Sequence, residues 1–306
     1  MGEPVRPPVR GRPRPPRRQL AARRVAALAV LVVGLGVVAW AATLGLGALR
    51  GADAPPPATT APPPPKPLRI VFPEGFTRRE MAERIDAVND IAKERRNVTP
   101  KLDPREYLRF TRVSRLPGEF AGDGKRRALE GFLFPATYEF LPKTTTKQLV
   151  NKQLTAFNRN WARIDLAYAR SKNLTAYDVL IIASMVEKET LAPEERPLVA
   201  AVIYNRLKAG MTLGIDATVR YGLDVPGTEP LRQSHLDSNN PYNTRKLPGL
   251  TPTPIANPGL ASMQAAAHPA KVNYLFFARK PDKVHHFFTA DEDAFLRYLA
   301  EHGYGS

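Results

Sequence analysis

The feature that most constrains this chain is a long uncharged stretch near its N-terminus, residues 25–49, which reads VAALAVLVVGLGVVAWAATLGLGAL. As an α-helix this stretch would be about 37 Å long, whereas the hydrocarbon core of a bilayer is only ~30 Å thick. A cleaved signal peptide is the alternative, but its apolar region usually has about 7 to 15 residues. The length therefore favours one tilted transmembrane helix.

Charges on either side of this stretch predict its orientation. Eight arginines and a single acid, Glu3, precede it, whereas Arg50 immediately follows it. By the positive-inside bias, residues 1–24 form a cytoplasmic tail, which we expect to be disordered because it is rich in proline and arginine. The rest of the chain would then lie outside the cytoplasm, anchored in the plasma membrane by a single helix.

Residues 50–67 contain the run ADAPPPATTAPPPPKP and are predicted to form a stiff, extended linker. Beyond residue 50 the surplus of basic over acidic residues falls from 16 to eight. A surplus of this size suits an anionic polymer or a membrane surface as well as nucleic acid. The sequence has no zinc-finger spacing, RNP-type stretch or phosphate-binding loop, so nucleic-acid binding is not expected. The absence of cysteine excludes disulfides and thiol catalysis.

Local signals predict an α+β fold after the linker. The segment LRIVF, residues 68–72, has the composition of a strand, and Thr77 with Glu80 forms the capping box of a following helix. The Asp-Pro pair at residues 103–104 predicts a second helix start. Residues 129–141, LEGFLFPATYEFL, mix aromatic residues with glycine and proline, which indicates strand and turn.

A further helix starts at a capping box formed by Thr175 and Asp178. On a helical projection its apolar side chains form one stripe, at Val179, Ile182, Ala183 and Val186. Pro193 predicts the start of the next helix, and Gly210 predicts its end. The two helices are therefore expected to form a hairpin.

Two carboxylates, Glu187 and Glu189, stand at the end of the first helix of this hairpin. A carboxyl beside apolar side chains resists ionisation, because desolvation penalises its charged form, and such a group can act as a general acid near neutral pH. Two solvated glutamates at a helix end are the structural alternative. Residues at i and i+2 point to different sides of a helix, so these two cannot flank one glycosidic bond. If Glu189 acts on a glycoside, a second carboxylate comes from elsewhere or is absent.

Six ordered segments between residues 68 and 290 carry a resemblance: LEGFLFPATYEF, ASMVEKET, VIYNRLKAGMTL, DATVRYGL, PYNTRKLPGLTPTPIANPG and AAAHPAKVNYLFFA. Together they resemble the MltG/YceG-like endolytic murein transglycosylases. The resemblance implies a single-pass membrane enzyme, a lyase, that cuts nascent peptidoglycan glycan strands between N-acetylmuramic acid and N-acetylglucosamine. The cut leaves a 1,6-anhydro end and terminates glycan elongation, with cell-wall synthases as expected partners.

The catalytic glutamate of that family falls on the second glutamate of the EKET motif, Glu189. Its pairing with Thr190 is similar to the Glu-Ser pair of other lytic transglycosylases. The resemblance implies that Glu189 donates a proton to the glycosidic oxygen and then takes one from the sugar's own 6-hydroxyl as that hydroxyl attacks C1. One carboxyl serves both steps, and Glu187 would have a supporting or sugar-binding role.

Further supporting or substrate-binding residues are expected along the glycan groove. The loop PYNTRKLPG, residues 241–249, offers an aromatic ring, an amide and a hydroxyl, although its composition alone fits an ordinary loop. The residues expected to reach the groove, or to shape the turns around it, are Asp216, Thr218, Tyr242, Asn243, Thr244 and Asn257.

Three features depart from the family pattern. The usual L-Q-x-D-P-T-V segment reads LGIDATV, with Gly214 in place of the glutamine and Ala217 in place of the proline. Residues 290–295, ADEDAF, replace an E-H-N-like pattern, and the N-terminal LysM-like unit is shortened. We expect residues 68–118 to form a small, truncated LysM-like α/β subdomain and residues 119–306 to form a mixed α+β catalytic domain.

Two other functions are open from the sequence. Glu189 and Asp216 could be the acid and base of a peptidoglycan hydrolase, or the chain could be a non-catalytic glycan-binding module of cell-wall synthesis. No metal is expected, because His285 and His286 are adjacent and would point to opposite faces of a strand. No cofactor is expected either.

Overall fold

The computed structural model describes residues 66–123 and 126–303, which fall within one compact unit of the chain. The predicted cytoplasmic tail, the predicted membrane helix and all but the end of the predicted linker lie outside the described residues. Within the described ranges, no helix has both the length and the hydropathy needed to cross a membrane. The membrane helix at residues 25–49 therefore stays a prediction.

The described residues have a mixed α+β fold, which confirms the predicted fold class. Short strands lie before and after a long run of helices, and each strand pairs antiparallel with one other strand. The strands are β1 (Leu68–Val71), β2 (Ser114–Arg115), β3 (Arg126–Arg127), β4 (Thr137–Phe140), β5 (Phe276–Arg279) and β6 (His286–Thr289). The helices are α1 (Arg78–Arg96), α2 (Pro104–Arg112), α3 (Thr146–Trp161), α4 (Ala167–Ser171), α5 (Ala176–Glu189), α6 (Arg196–Ala209), α7 (Asp216–Leu223), α8 (Gln233–Leu236), α9 (Leu260–Ala267) and α10 (Glu292–Glu301).

The helix starts that the sequence marks are present with the expected caps. At α1 the Thr77 hydroxyl accepts from the Glu80 N–H at 3.2 Å, and the Glu80 carboxylate accepts from the Thr77 N–H at 2.6 Å. Asp103 caps α2, and Thr175 with Asp178 repeats the reciprocal arrangement at α5. These side chains satisfy backbone N–H groups that have no partner within the helix, which fixes where each helix begins.

The sheet of β1 and β4 joins segments on both sides of the predicted boundary between residues 118 and 119. Alternate side chains of β1 are buried, as expected for a strand with one face against the core. Just after β1, the ring of Phe72 lies 6.5 Å from that of Tyr107 and 6.1 Å from that of Tyr138. The two predicted domains therefore share a hydrophobic core, and the division between them stays a prediction.

Helix α5 is the central helix of the core. The sequence predicts an apolar stripe along it, but the structure buries every side chain from Val179 to Val186. The reason is that α5 packs against α6 and α9 and also contacts α7, so this stretch has no solvent-facing side. Ser184 is accommodated because it donates to the Ile181 carbonyl at 2.7 Å and accepts from the Ile255 N–H at 3.0 Å.

The predicted helical hairpin is present, but its second helix begins later than expected. Pro193 starts a 3₁₀ turn, Pro193–Glu195, and α6 begins at Arg196. Gly210 ends α6 with φ 68°, the left-handed conformation that favours glycine. The corner between α5 and α6 leaves the carboxyl end of α5 at the surface of the core.

Candidate active site

A groove of about 1680 Å³ opens beside the carboxyl end of α5. Its walls include the first turn of α1, residues of α7, and the hairpin of β5 and β6. Ionisable side chains of both signs line it together with apolar groups such as Leu213 and Phe277. The groove exceeds the ~300–1,000 Å³ of typical small-molecule sites. It is therefore large enough for an extended ligand.

Glu189 is the last residue of α5, and it lines this groove. Thr190 ends the helix in an extended conformation, and both its N–H and its hydroxyl donate to the Val186 carbonyl. Because the helix stops at this point, the half-buried Glu189 projects from the core into the groove. Thr190 itself is buried and closes the helix end.

The electrostatic surroundings of Glu189 suit proton transfer. Its pKa is raised to about 7, first by desolvation and then by the negative charge of Asp216. Arg279, the backbone N–H of Ala217 and Arg245 act in the opposite direction, because each stabilises the carboxylate. Near neutral pH, Glu189 is thus present in both its protonated and its ionised form. A group that donates a proton and then takes one back needs access to both forms.

Asp216 lies in the first turn of α7 and lines the groove. Its carboxylate forms an ion pair with the guanidinium of Arg245, and both side chains are about half exposed. Arg245 belongs to the loop of residues 241–249 and also lines the groove. The charge of Asp216 is therefore partly balanced by a cation on the same wall.

Three predicted residues of this loop, Tyr242, Asn243 and Thr244, do not line the groove. The Asn243 amide donates to two backbone carbonyls of the preceding segment at 2.7 and 2.8 Å, and the Tyr242 hydroxyl lies 2.8 Å from that of Thr253. The hydroxyls of Thr244 and Thr218 are 2.8 Å apart, which ties the loop to α7. These residues and Thr218 support the wall that carries Asp216 and do not form its surface.

Glu187 and Glu189 point to different sides of α5, as the i, i+2 geometry requires. The Glu187 carboxylate accepts from the Gly259 N–H at 2.9 Å and lies 3.9 Å from the Arg196 guanidinium. Gly259 is the N-cap residue of α9, so this negative charge lies at a helix N-terminus, where it is favourable. Glu74 lies nearby, and its pKa is raised by burial and then by the charge of Glu187. The geometry gives Glu187 a supporting position away from the groove.

Asn257 is fully buried and joins three segments of the chain. Its side-chain amide donates to the Phe76 carbonyl at 2.9 Å and to the Glu130 carboxylate at 2.8 Å. Its side-chain oxygen accepts from the Leu133 N–H at 2.9 Å. Asn257 therefore holds together the segments around Glu130 and does not itself line the groove.

Glu130 lines the same groove and was not predicted as a site residue. It is 2% exposed, and its carboxylate accepts from the Arg78 N–H at 3.0 Å, the Tyr221 hydroxyl at 3.1 Å and the Asn257 amide at 2.8 Å. Desolvation raises its pKa to about 7, against the opposing charge of Arg78 and these hydrogen bonds. The sequence signal that could have identified Glu130 is a single acid within the apolar stretch ALEGFLF, followed by a glycine. In the structure that glycine, Gly131, has φ 89°.

The two adjacent histidines have separate carboxylate partners. His286 is buried, lines the groove and bonds through Nδ1 to the Glu195 carboxylate at 2.6 Å. His285 is more exposed, and its Nδ1 lies 2.9 Å from the Asp282 carboxylate. Among the residues that the structure describes, no cluster of three or more His, Asp or Glu side chains could hold a metal ion.

The chain is similar to a known protein family in both sequence and fold. The sequence model of the YceG-like family matches residues 58–301. The chain belongs to the YceG-like family. The resemblance carried by the six sequence segments is therefore confirmed. The fold is also similar to the crystal structure of a YceG-like protein from Listeria monocytogenes, with a TM-score of 0.58 and 28% identity, covering 76% of each chain.

Two relatives of this YceG-like protein carry the name endolytic murein transglycosylase. The protein of Bacillus subtilis (strain 168) is 32% identical over 212 residues, and that of Streptococcus pneumoniae (strain R6) is 31% identical over 250 residues. These alignments cover 68% and 76% of this chain, but only 56% and 44% of the two relatives. The chain thus spans about half the length of the relatives it matches.

Two departures of this YceG-like chain from the family pattern line the same groove as Glu189. Gly214 has φ 66°, a left-handed backbone conformation that residues with a Cβ atom rarely adopt. Ala217 stands in the place of a proline and provides the backbone N–H that stabilises the Glu189 carboxylate. Proline has no such N–H, so the alanine adds a donor to the groove.

Proposed function

We propose that this protein is an endolytic lytic transglycosylase of peptidoglycan. It cleaves the glycan strand between N-acetylmuramic acid and N-acetylglucosamine and leaves a 1,6-anhydro-N-acetylmuramic acid end. The observation that carries the proposal is Glu189, a half-buried carboxyl with a pKa of about 7 that opens into a large groove. The names of the relatives from Bacillus subtilis and Streptococcus pneumoniae support the same reaction.

The chemistry needs one carboxyl that changes its protonation state twice. Protonated Glu189 gives its proton to the glycosidic oxygen as the bond from that oxygen to C1 of N-acetylmuramic acid breaks. The 6-hydroxyl of the same sugar then forms a new bond to C1 and passes its proton to the Glu189 carboxylate. Glu189 thus ends in the protonated form in which it began, and no water is consumed. The Ala217 N–H stabilises Glu189 in the ionised state between the two transfers.

A hydrolase is the second candidate, and one observation favours it. Asp216 lines the groove and lies close enough to Glu189 to raise its pKa, so it could activate a water molecule. Its ion pair with Arg245 argues against this role, because the oxygen that accepts from the guanidinium is already occupied by that contact. A non-catalytic glycan-binding module is the third candidate, and it predicts that Glu189 is dispensable.

Product analysis in ¹⁸O-labelled water separates these reactions. Uncrosslinked nascent glycan is incubated with the full-length protein, and the fragments are identified by mass spectrometry. We expect 1,6-anhydro ends without the ¹⁸O label. Labelled reducing ends would show hydrolysis instead, and the absence of any fragments would favour the binding module.

The distribution of charge around residues 25–49 supports a proposal for the location of the protein. We propose a single-pass plasma-membrane protein whose N-terminus is cytoplasmic and whose groove faces the cell wall, because eight arginines precede the uncharged residues 25–49. In this position it would act beside cell-wall synthases and terminate glycan elongation. A reporter fused after the last residue should be active only outside the cytoplasm. Cleavage of the chain within residues 25–49 would show a signal peptide instead.

A further inference from the structure

Glu130 is a buried carboxyl on the groove that the proposed proton transfers do not use. Its two oxygens accept hydrogen bonds from Arg78, Tyr221 and Asn257, which belong to three separate segments. A carboxylate with these donors and an exposure of 2% has little capacity left for a sugar hydroxyl or a water molecule. Its position therefore indicates a role toward the protein and not toward the substrate.

The contact between Glu130 and Tyr221 reaches the helix that borders Glu189. Tyr221 lies in α7 and donates its hydroxyl to Glu130 at 3.1 Å. Ala217, four residues earlier in the same helix, lies on the same helical face, because residues at i and i+4 are neighbours there. Helix α7 thus bonds to Glu130 near its C-terminal end, while its first turn lines the groove together with Glu189, and the helix contacts α5.

The other contacts make Glu130 a fixed point. It accepts from the backbone N–H of Arg78, the first residue of α1, whose first turn also lines the groove. It also accepts from Asn257, which is bonded in turn to the backbone of Phe76 and Leu133. A displacement of Glu130 would therefore strain three segments at once, whereas α7 depends on it through one hydroxyl.

We propose that Glu130 is a positioning residue that holds α7 against Glu189 through the hydroxyl of Tyr221. The proposal rests on the proposed function of Glu189. In this arrangement the Ala217 N–H and Asp216 keep a fixed distance from the Glu189 carboxylate. Loosening α7 should weaken the stabilisation of the Glu189 carboxylate by the Ala217 N–H more than the charge effects of Asp216, Arg279 and Arg245. Hydrogen bonding is more sensitive to distance and angle than the interaction between charges is.

Tyr221→Phe tests this link, because it removes one hydroxyl and keeps the ring. We expect kcat to fall roughly 10- to 100-fold with little change in KM, as for a small misplacement of a catalytic group. The pH at which Glu189 titrates should rise, because the carboxylate loses part of its hydrogen bond. The titration is followed by ¹³C NMR of the full-length protein labelled at the glutamate carboxyl carbons, with the Glu189 signal identified by its loss in Glu189→Gln.

Tyr138→Phe is the matched control. It also removes one largely buried tyrosine hydroxyl, which donates to the Phe134 carbonyl at 2.7 Å, but Tyr138 does not line the groove. The two variants should lose similar thermal stability, and only Tyr221→Phe should change kcat and the Glu189 titration. Equal effects of the two variants on both quantities would overturn the proposal.

Glu130→Gln provides a second variant that separates the link from the charge. A glutamine oxygen can still accept from Arg78 and Asn257, and its NH₂ group can donate to the Tyr221 oxygen. We therefore expect a smaller loss of kcat than in Tyr221→Phe, and a larger loss would contradict the link through the hydroxyl. If the wild-type protein cuts no glycan, the proposed function fails, and the NMR titration still decides whether Glu130 and Tyr221 control Glu189.

Discussion

Glu130 and Glu189 are two carboxyls on one groove with similar proton affinities and different surroundings. Desolvation raises the pKa of each to about 7. Glu130 is closed in by donors from three segments, whereas Glu189 stands at a helix end, half-buried, and faces the groove. Both differ from Glu187, whose carboxylate lies at the N-terminus of α9.

The comparison shows that a raised pKa alone does not identify a catalytic group. Desolvation raises the pKa of a carboxyl that anchors the fold as readily as that of one that transfers protons. The two differ in whether an oxygen atom remains available to a ligand. By this criterion Glu189 fits the role of the proposed reacting group, and Glu130 fits a supporting role in the fold.

The largest expected effect is on turnover. Glu189→Gln removes the proposed acid and base together, and each such function is typically worth about 10² to 10⁴ in rate. We expect a loss of kcat at or beyond the upper end of that range, with the fold and some glycan affinity retained. Fragment release from nascent glycan measures the rate, and circular dichroism checks the fold.

Glu187→Gln is the control for this substitution, since it changes a glutamate two residues away on the other side of α5. It removes the negative charge at the N-terminus of α9, which should lower stability by about 0.3–1 kcal/mol. Turnover should fall much less than in Glu189→Gln. A correctly folded and active Glu189→Gln protein would remove Glu189 from the mechanism, and the distinction from Glu130 would lose its basis.

Local sequence signals predicted one half of this comparison and not the other. The caps at Thr77, Asp103 and Thr175 depend on residues next to each other in sequence, and the structure has all of them. Glu189 could be proposed because a family motif and an apolar helix mark it. Glu130 could not, because its donors lie 52 to 127 residues away in sequence, and no local pattern reports such contacts.

The loop of residues 241–249 also shows what local sequence cannot predict, because here it suggested site residues that do not line the groove. Its residue types suit sugar binding, yet Asn243 and Thr244 are buried and bonded within the protein. Most side-chain hydrogen bonds in proteins go to the backbone or to water, and tertiary contacts decide whether a polar loop side chain meets a ligand instead. Arg245, the next residue, lines the groove instead.

A second prediction concerns stability and pH, where the two carboxyls should behave alike. The pKa of each is raised from an ordinary value of 4.5 to about 7. The protonated forms tolerate burial, so their contribution to stability is fully present below about pH 4.5 and is lost as the pH rises through 7. For each group the loss amounts to about 3 kcal/mol by pH 8.

Glutamine at either position removes this loss, since it does not ionise. Relative to wild type, Glu189→Gln and Glu130→Gln should each gain stability between pH 4.5 and pH 8, although they differ strongly in turnover. Urea denaturation of the full-length protein in detergent, followed by tryptophan fluorescence at several pH values, measures the gain. A wild-type pH dependence that persists unchanged in both variants would mean that neither carboxyl is protonated in the folded protein at neutral pH.

The smallest expected effect concerns the donor that distinguishes this chain from the family pattern. Ala217→Pro deletes the backbone N–H that lowers the pKa of Glu189, and proline is tolerated in the first turn of a helix, where Ala217 lies. The pKa of Glu189 should rise, so the acid form should persist to higher pH, and the fall of kcat/KM on the alkaline side should move up by as much as about one pH unit.

Ala217→Gly is the control, since it keeps the N–H and introduces no polar group, and its profile should match that of wild type. An equal shift of the pH profile in both variants would mean that a change in the backbone of α7 causes it. No shift in either variant would mean that desolvation and the charges of Asp216, Arg245 and Arg279 alone set the pKa of Glu189.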